Sequence, residues 1–158
     1  MIDLHVRMVV ATERFVMKLG ESKLGRAIFA RLDENEDLLD AITLQAKQSR
    51  ISAGFLLLIG TLKEAKLGFY RHGKYETIEV PGPLEIVSCL GNVSVTEKEI
   101  IVHAHISVAD EKGRILGGHL LKGCPVSATG ELVLIETPDT PLRREFDEQM
   151  NLYLWSSK

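Results

Sequence analysis

Three of the five histidines in this 158-residue chain lie close together, and their types and spacing suit a metal ion. His103 and His105 belong to the segment Ile100–Val108, where they alternate with apolar residues. Because side chains along a strand point to opposite faces in turn, both imidazoles point the same way. A third histidine, His119, follows shortly afterwards. Three neutral imidazoles favour zinc, or another divalent transition metal, with an open fourth position where the metal can polarise a water or a carbonyl oxygen.

The residues between the second and third histidines determine how the two strands would pair. The segment Asp110–Arg114 predicts a hairpin whose three-residue loop ends at Gly113 in the left-handed conformation. In that register the first and last residues of the segment face each other, and His105 faces His119. A shift of one residue would turn His119 to the other face. The alternative to a metal site is that the three histidines are strand residues hydrogen-bonded to backbone or water.

Other residues are candidates to support such a site. Gly117-Gly118 precede the third histidine and allow a ligand or another backbone to approach closely, a simple bulge being the alternative. A turn near residues 96–99 would place Asn92 opposite His103, where its side chain would orient a ligand or donate a hydrogen bond. The alternative is that Asn92 is a turn or bulge asparagine beside Gly91. Glu85 is the nearest candidate for a general acid or base, with a surface strand glutamate as the alternative. No catalytic residue is identified.

One helix is predicted ahead of these strands. Asn35 is the predicted N-cap, because the acidic residues that follow it suit the positive end of a helix. Apolar residues at Leu38, Ile42 and Ala46 have helical spacing. The pattern predicts a helix over Glu36–Arg50 that ends before the next glycine.

The remainder of the chain is typical of strands joined by short turns. Pro81-Gly82-Pro83 is predicted to end one strand. The polar segment Pro138–Gln149 is predicted to hold at most one helical turn. Short connections favour antiparallel pairing, so the sequence predicts an α+β fold. The predicted strands are Arg14–Leu19, Phe55–Ile59, Ala65–Arg71, Tyr75–Val80, Leu84–Val95, Ile100–Val108, Ile115–Leu121, Leu132–Glu136 and Leu152–Trp155.

The composition is that of an average globular domain, with 45% hydrophobic and 26% charged residues. We expect one domain over residues 1–158, with a core over about 14–136. Nineteen basic against twenty-two acidic residues is not the profile of an obvious nucleic-acid binder. A mean hydropathy of +0.05, without an apolar run near ~20 residues, excludes a membrane-spanning helix.

The cysteines and the N-terminal residues indicate the compartment. Cys89 and Cys124 are widely separated and form no CxxC pair, so we expect both to be free, small core residues. Met1–Arg14 lacks the pattern of a secretory signal, and we therefore expect a cytoplasmic protein. The two remaining histidines, His5 and His72, lie in a terminus and a predicted turn, where we expect them to be solvated.

Several segments, taken in order, resemble the PPC domain, a family conserved in plants and prokaryotes and also described as AT-hook-associated. The resemblance extends over roughly Arg14 to Ile135 and depends on the combination and order of the segments. The matching segments are Glu36–Leu39, Ser52–Gly54, Leu58–Leu62, Ala65–Tyr70, Gly82–Asn92, His103–His105 and Gly117–Leu120.

The resemblance implies an α+β fold with a largely antiparallel, barrel-like sheet, one main helix packed on it, and assembly as a homotrimer. It also implies that the histidines matching His103, His105 and His119 bind zinc, as is thought for prokaryotic members. The fold is similar to that of acetolactate decarboxylase, which holds a metal through an HxH pair and a later histidine. A shared fold raises the expectation of metal chemistry but does not assign a function.

Three functions follow as hypotheses. The family label implies a DNA-binding or regulatory protein, but plant members carry an AT-hook, Arg-Gly-Arg-Pro, which these 158 residues do not contain. The net charge of −3 also disfavours strong phosphate binding. The second hypothesis is a zinc-dependent lyase or hydrolase acting on a small oxygen-rich substrate, and the third is a trimer that metal only rigidifies. Five basic residues near the N-terminus would form a local basic patch for DNA; the alternative is that they are ordinary solvated surface residues. They are Arg7, Arg14, Lys18, Lys23 and Arg26.

Overall fold

The computed structural model describes residues 19–156, and within them the chain forms one α-helix and eight β-strands. Most strand pairs are antiparallel, which confirms the predicted α+β fold. The elements are β1 Ala27–Leu32, α1 Leu38–Gln48, β2 Gly54–Arg71, β3 Lys74–Val95, β4 Ile100–Ala109, β5 Ile115–Leu120, β6 Val126–Glu136, β7 Arg143–Asp147 and β8 Leu152–Ser156. The strand predicted over Arg14–Leu19 lies outside the described residues except at Leu19, which is irregular.

The strands form one sheet in the order β1-β6-β2-β5-β4-β3-β7-β8. The long strands β2 and β3 also pair with each other, so β2, β5, β4 and β3 close into a ring rather than a regular barrel. Strand β2 pairs with β6 as far as Leu62 and with β5 at Leu67 and Gly68. This change of partner brings β5 beside β4, the strand with the first two histidines.

The helix begins at a different cap from the one predicted. Asp37, not Asn35, is the N-cap, and its carboxylate accepts a hydrogen bond from the backbone N–H of Asp40. The other carboxylate oxygen accepts from the backbone N–H groups of Gly123 and Cys124, at 2.7 and 3.0 Å. Asn35 has a φ of +71° and precedes the helix. Asp37 takes the position because one carboxylate joins the helix start to the loop before β6.

The other end of the helix also differs from the prediction. The helix ends at Gln48 with Ser49 as its C-cap, whereas the sequence predicted an end at Arg50. Arg50 has a φ of +55°, in the left-handed region, so the chain has already left the helix there. Within the helix, the apolar residues that predicted it, including Leu38 and Ile42, are fully buried.

Two predicted strand breaks are absent. Strand β2 is continuous from Gly54 to Arg71, and β3 continues through Pro81-Gly82-Pro83. The prolines are tolerated because the β2–β3 register shifts between Leu62 and Glu64, next to the partner of Pro81. Strand β7 lies where a helical turn was expected, since it pairs with β8 along its full length.

The core lies between α1 and the inner face of the sheet. Cys89 and Cys124 are both buried there and free, as predicted, and burial raises the pKa of their thiols to about 12 and about 11. No helix in the described part of the chain is long and apolar enough to cross a membrane.

Candidate metal centre

The hairpin formed by β4 and β5 brings the three histidines together. Its loop has Gly113 at a φ of +72°, and Asp110 donates its backbone N–H to the carbonyl of Arg114. In this register His105 lies directly opposite His119, as predicted from the loop. His103 lies two residues before His105 on the same face.

The three imidazoles are close enough to share one ion. Each offers a ring nitrogen, and these nitrogens all lie within 4.8 Å of one another. The ring centroids of His103 and His119 are 5.0 Å apart, and the other two separations are 5.3 and 5.4 Å. His103 and His119 are half-buried, whereas His105 is exposed.

The donor set fits a divalent transition metal. The Nδ1 atom of His119 is buried and has no hydrogen-bond partner among the described residues, although a buried ring nitrogen is normally paired. The group contains imidazoles without a carboxylate, which suits zinc and its neighbours better than magnesium or calcium. The site faces the sheet's outer surface through the exposed His105, which leaves an approach for a ligand.

The surroundings keep two of the imidazoles neutral, which is the form that binds a metal. Burial lowers the pKa of His119 to about 4, with the neighbouring histidines and Arg144 contributing. The pKa of His103 is also lowered, first by burial and then by the charge of Arg144 and by His105. A proton therefore competes weakly for these two nitrogens near neutral pH.

A buried arginine, Arg144 on β7, adjoins the histidines. Its Nη2 donates to Oδ1 of Asn92 at 3.0 Å and lies 3.3 Å from Nδ1 of His103. Its Nε donates to Oγ of Ser94 at 2.7 Å, and its Nη1 donates to the carbonyl of Tyr153 at 2.7 Å. The β7–β8 hairpin therefore brings a guanidinium to the edge of the metal site.

A hollow of about 170 Å³ opens beside the site. It is lined by His103, His119, Tyr75 and Arg144 together with residues of β4 and β8. Larger hollows, of about 410 and 330 Å³, lie elsewhere on the described surface and contain no histidine. The chemistry of the lining, rather than the volume, distinguishes the hollow at the histidines.

The two residues predicted to support the site are placed differently. Asn92 lies opposite His103, as the turn predicted, and contacts Arg144 rather than an imidazole. Glu85 pairs with Thr61 and with Ala109, four residues along β4 from His105. At about 3.3 Å per residue, Glu85 lies ~13 Å away along the strand and does not reach the metal site.

Two glycines, the predicted Gly118 and also Gly91, allow close backbone contacts at the site. A Cβ on Gly118 would lie 3.0 Å from the carbonyl oxygen of Gly68, so β5 approaches β2 closely just before His119. A Cβ on Gly91 would overlap the carbonyl oxygen of His103 and lie 2.7 Å from the Cβ of Ala104. Gly91 therefore marks a close approach rather than a bulge, since β3 stays in register there.

Sequence reasoning missed Arg144 and Tyr75. Tyr75 is in a strand whose alternation gives no sign of a site, and Arg144 is in a polar segment predicted to be irregular. Only the pairing of β7 with β3, through Arg143 and Val95, places Arg144 beside Asn92. No local pattern could have indicated this contact.

Most of the chain matches one family of known proteins. The model of the Plants and Prokaryotes Conserved (PCC) domain, the family called PPC above, matches residues 19–138. Among curated proteins, a bifunctional protein GlmU from Synechococcus sp. (strain JA-2-3B'a(2-13)) is 34% identical over 119 residues, or 74% of this chain. The chain spans only 18% of the length of that relative.

Solved structures share the fold. A PPC protein from Pyrococcus horikoshii has a TM-score of 0.82 and 34% identity, and the match covers 89% of this chain and 97% of that one. A metal-containing protein from Archaeoglobus fulgidus has a TM-score of 0.78 and 33% identity, covering 89% and 99%. A proposed DNA-binding protein from Bacteroides thetaiotaomicron has a TM-score of 0.76 at 21% identity, covering 85% and 96%, and shows the fold alone.

Proposed function

The chain belongs to the Plants and Prokaryotes Conserved domain family, and we propose that it is a metal-binding member in which His103, His105 and His119 hold a zinc ion or another divalent transition metal. The observation that carries the proposal is the convergence of three ring nitrogens within 4.8 Å. The orphaned Nδ1 of His119 and the lowered pKa values of His103 and His119 support it. The metal-containing relative from Archaeoglobus fulgidus adds support.

The activity that this site favours is a lyase or hydrolase reaction on a small oxygen-rich substrate. When bound, a divalent metal supplies a Lewis acid that polarises a substrate oxygen. The histidines are neutral ligands, Tyr75 covers the ring of His119, and the hollow beside them accepts a small molecule. Glu85 lies too far away to move a proton there.

The first experiment is the metal content of the purified protein. We expect close to one zinc or similar ion per chain, measured by inductively coupled plasma mass spectrometry. His105→Ala should remove most of it, since this exposed ligand can be truncated without opening the core. His72→Ala, at an exposed histidine in a turn, is the matched control and should retain the metal. Equal metal content in both variants would contradict the proposed metal site.

DNA association is the second candidate function, and it follows from the resemblance to a family also described as AT-hook-associated. The described surface offers little support, because Arg26 of the predicted basic patch is paired with Glu136 at 2.8 Å. Arg7, Arg14 and Lys18 of that patch lie outside the described residues. Retardation of an AT-rich duplex that weakens steeply with salt would support this function. Absent retardation would exclude it.

Assembly as a homotrimer is proposed from the outer face of the sheet. Phe29, Val133, Leu57 and Leu90 are paired in register across four strands, so they share one face. Phe29 is 77% exposed, Leu57 40% and Leu90 55%. An apolar row of this kind is typical of a surface that another subunit covers.

The cytoplasmic location also stays a proposal, supported by the two free buried cysteines.

A further inference from the structure

We propose that Arg144 makes the hollow beside the three histidines a binding site for the carboxylate group of a small organic acid. The inference deepens the proposed function by naming the class of substrate. It rests on the proposed function in one respect: a bound acid would contact the guanidinium of Arg144 first and the metal second, and only the second contact needs the proposed metal site.

Arg144 is a buried cation that has no anionic partner within residues 19–156. Only 8% of the surface of Arg144 is exposed. Its hydrogen-bond acceptors are a hydroxyl, an amide oxygen, a backbone carbonyl and a ring nitrogen, all neutral. Among the ion pairs of residues 19–156, none includes Arg144. A buried charge is costly unless an opposite charge accompanies it, so an anion is favoured beside this guanidinium.

The geometry leaves Arg144 able to bind such an anion. A guanidinium has five N–H donors, and the contacts to Ser94, Tyr153 and Asn92 use three of them. One N–H of Nη1 has no partner among the described residues, and one N–H of Nη2 faces Nδ1 of His103, which accepts it only in the tautomer that carries its proton on Nε2. The contact with His103, at 3.3 Å, is the longest of the four and the one most readily exchanged for a ligand oxygen.

The charge of the complete site also favours an anion. Three neutral imidazoles leave a bound divalent cation with its full charge, and Arg144 adds another positive charge at hydrogen-bond distance from His103. Within the described part of the chain, no carboxylate belongs to the histidine group. A planar carboxylate matches the guanidinium fork and presents an oxygen to a metal as well.

The hollow suits a small acid with a carbon skeleton. Its volume of about 170 Å³ equals about five or six water molecules, which suits an acid of a few carbon atoms. Leu152 and Leu154 of β8 and Val102 of β4 contribute to its lining. These apolar side chains favour a carbon skeleton over a fully hydrated inorganic anion.

The alternative role of Arg144 is purely structural, because it also anchors the C-terminal hairpin. Its contact with the carbonyl of Tyr153 and its position 5.6 Å from the ring of Trp155 both hold β8 against the sheet. A structural role would make the hairpin less stable when Arg144 is replaced but would give the hollow no preference for an anion. The two roles therefore differ in whether the affinity of the hollow for a ligand depends on the charge of that ligand.

Trp155 provides the readout, since the chain contains one tryptophan. We would titrate the purified protein with glycolate, with its uncharged isostere glycolamide and with inorganic phosphate, following Trp155 fluorescence and confirming each affinity by calorimetry. Metal content would be measured on the same sample. We expect glycolate to bind at least tenfold more tightly than glycolamide, and more tightly than phosphate.

Variants then assign the preference to the guanidinium. Arg144→Gln should weaken glycolate binding about tenfold to hundredfold and leave the weak binding of glycolamide unchanged. Arg144→Lys keeps the charge without the fork and should fall between the two. Arg143→Gln, at the exposed neighbour on β7, is the matched control and should bind as the parent does. Circular dichroism would establish that each variant is folded.

The results separate this inference from the proposed metal site. Equal affinity for glycolate and glycolamide in the parent protein overturns the inference even if no variant folds, and tighter binding of phosphate overturns the carboxylate class. A protein that binds one metal but does not discriminate the two ligands keeps its metal site and loses the acid site. A metal-free protein that still prefers glycolate through Arg144 supports the inference and refutes the metal proposal.

Discussion

Tyr75 stacks on the imidazole of His119, with ring centroids 4.4 Å apart and planes inclined by 19°. Tyr75 lies near the start of β3, and Gly68 on β2 provides the space for its ring. A Cβ at Gly68 would lie 2.8 Å from Cδ1 of Tyr75. The stack shields one face of His119 from water, and burial is the largest cause of the lowered pKa of His119. The hairpin of β2 and β3 therefore sets the acidity of a ligand carried by β5.

Removing the tyrosine ring should make His119 more basic. In metal-free protein we expect Tyr75→Ala to raise the pKa of His119 from about 4 towards its ordinary 6.5, because water regains access to the imidazole. Tyr75→Phe preserves the stacked ring and should leave the pKa unchanged. Titration of the imidazole resonances by nuclear magnetic resonance measures both. A pKa that stays near 4 in Tyr75→Ala would show that the stack does not cause the shift.

The lowered pKa of His119 should also make the metal-free protein less stable in mild acid. As pH falls below about 6.5, the unfolded chain takes up a proton at His119 but the folded chain does not until about pH 4. The contribution to stability is thus complete above about pH 6.5 and is lost as pH falls through about 4. Allowing for the partial exposure of the ring, we expect a loss on the order of 1 to 2 kcal/mol.

Urea unfolding of metal-free protein at pH 7, 5.5 and 4.5 measures this loss. His119→Gln should show a smaller fall between pH 7 and 4.5, since it lacks the titrating ring. His72→Gln is the control, because it removes an exposed histidine, and its pH dependence should equal that of the parent. A stability that is constant from pH 7 to 4.5 in the parent would contradict the prediction.

Binding of metal should stabilise the fold through its ligands. A ligand that binds only the folded state adds about 2.7 kcal/mol at a free concentration of one hundred times Kd. We therefore expect added Zn²⁺ to raise the Tm by several degrees and a chelator to reverse the rise, measured by calorimetry. His105→Ala should lose the Zn²⁺ response while keeping the metal-free Tm, since His105 is exposed and not part of the core. A Tm rise of equal size in the variant would assign the stabilisation to another site.

The hairpin between the histidines was predictable because its geometry is local. Gly113 in the left-handed position determines the loop, the loop determines the register, and the register pairs His105 with His119. The helix was predictable for the same reason, through the spacing of Leu38 and Ile42. Its cap was not, because the hydrogen bonds that select Asp37 come from a loop far along the chain.

The rest of the site depends on contacts between distant segments. Arg144 reaches His103 only because β7 pairs with the end of β3, and that pairing joins residues about fifty positions apart. Tyr75 reaches His119 because β2 changes its partner from β6 to β5. Propensity and periodicity report neighbours along the chain, so these two residues carried no sequence signal.

Gly91 should be required for the position of His103. A Cβ at Gly91 would overlap the carbonyl oxygen of His103 and crowd Ala104, so Gly91→Ala must push β3 and β4 apart. We expect a loss of about 1 to 3 kcal/mol in the free energy of unfolding, together with weaker Zn²⁺ binding. Gly73→Ala, in the turn between β2 and β3, is the matched control. It introduces strain of about 1 kcal/mol at a φ of +78° with only an ordinary contact to Asn151, and it should leave Zn²⁺ affinity unchanged.

The apolar row on the outer face should decide whether the chain assembles. Leu57 lies between Val133 and Leu90 in the middle of this row, and Leu57→Glu would place a charge at the centre of any interface there. We expect light scattering to give a mass near three times 17.6 kDa for the parent and near 17.6 kDa for Leu57→Glu. Leu44→Glu is the control, because Leu44 is also exposed but lies on the helix. A parent that is already monomeric, or equal masses for both variants, would show that this face is not the interface.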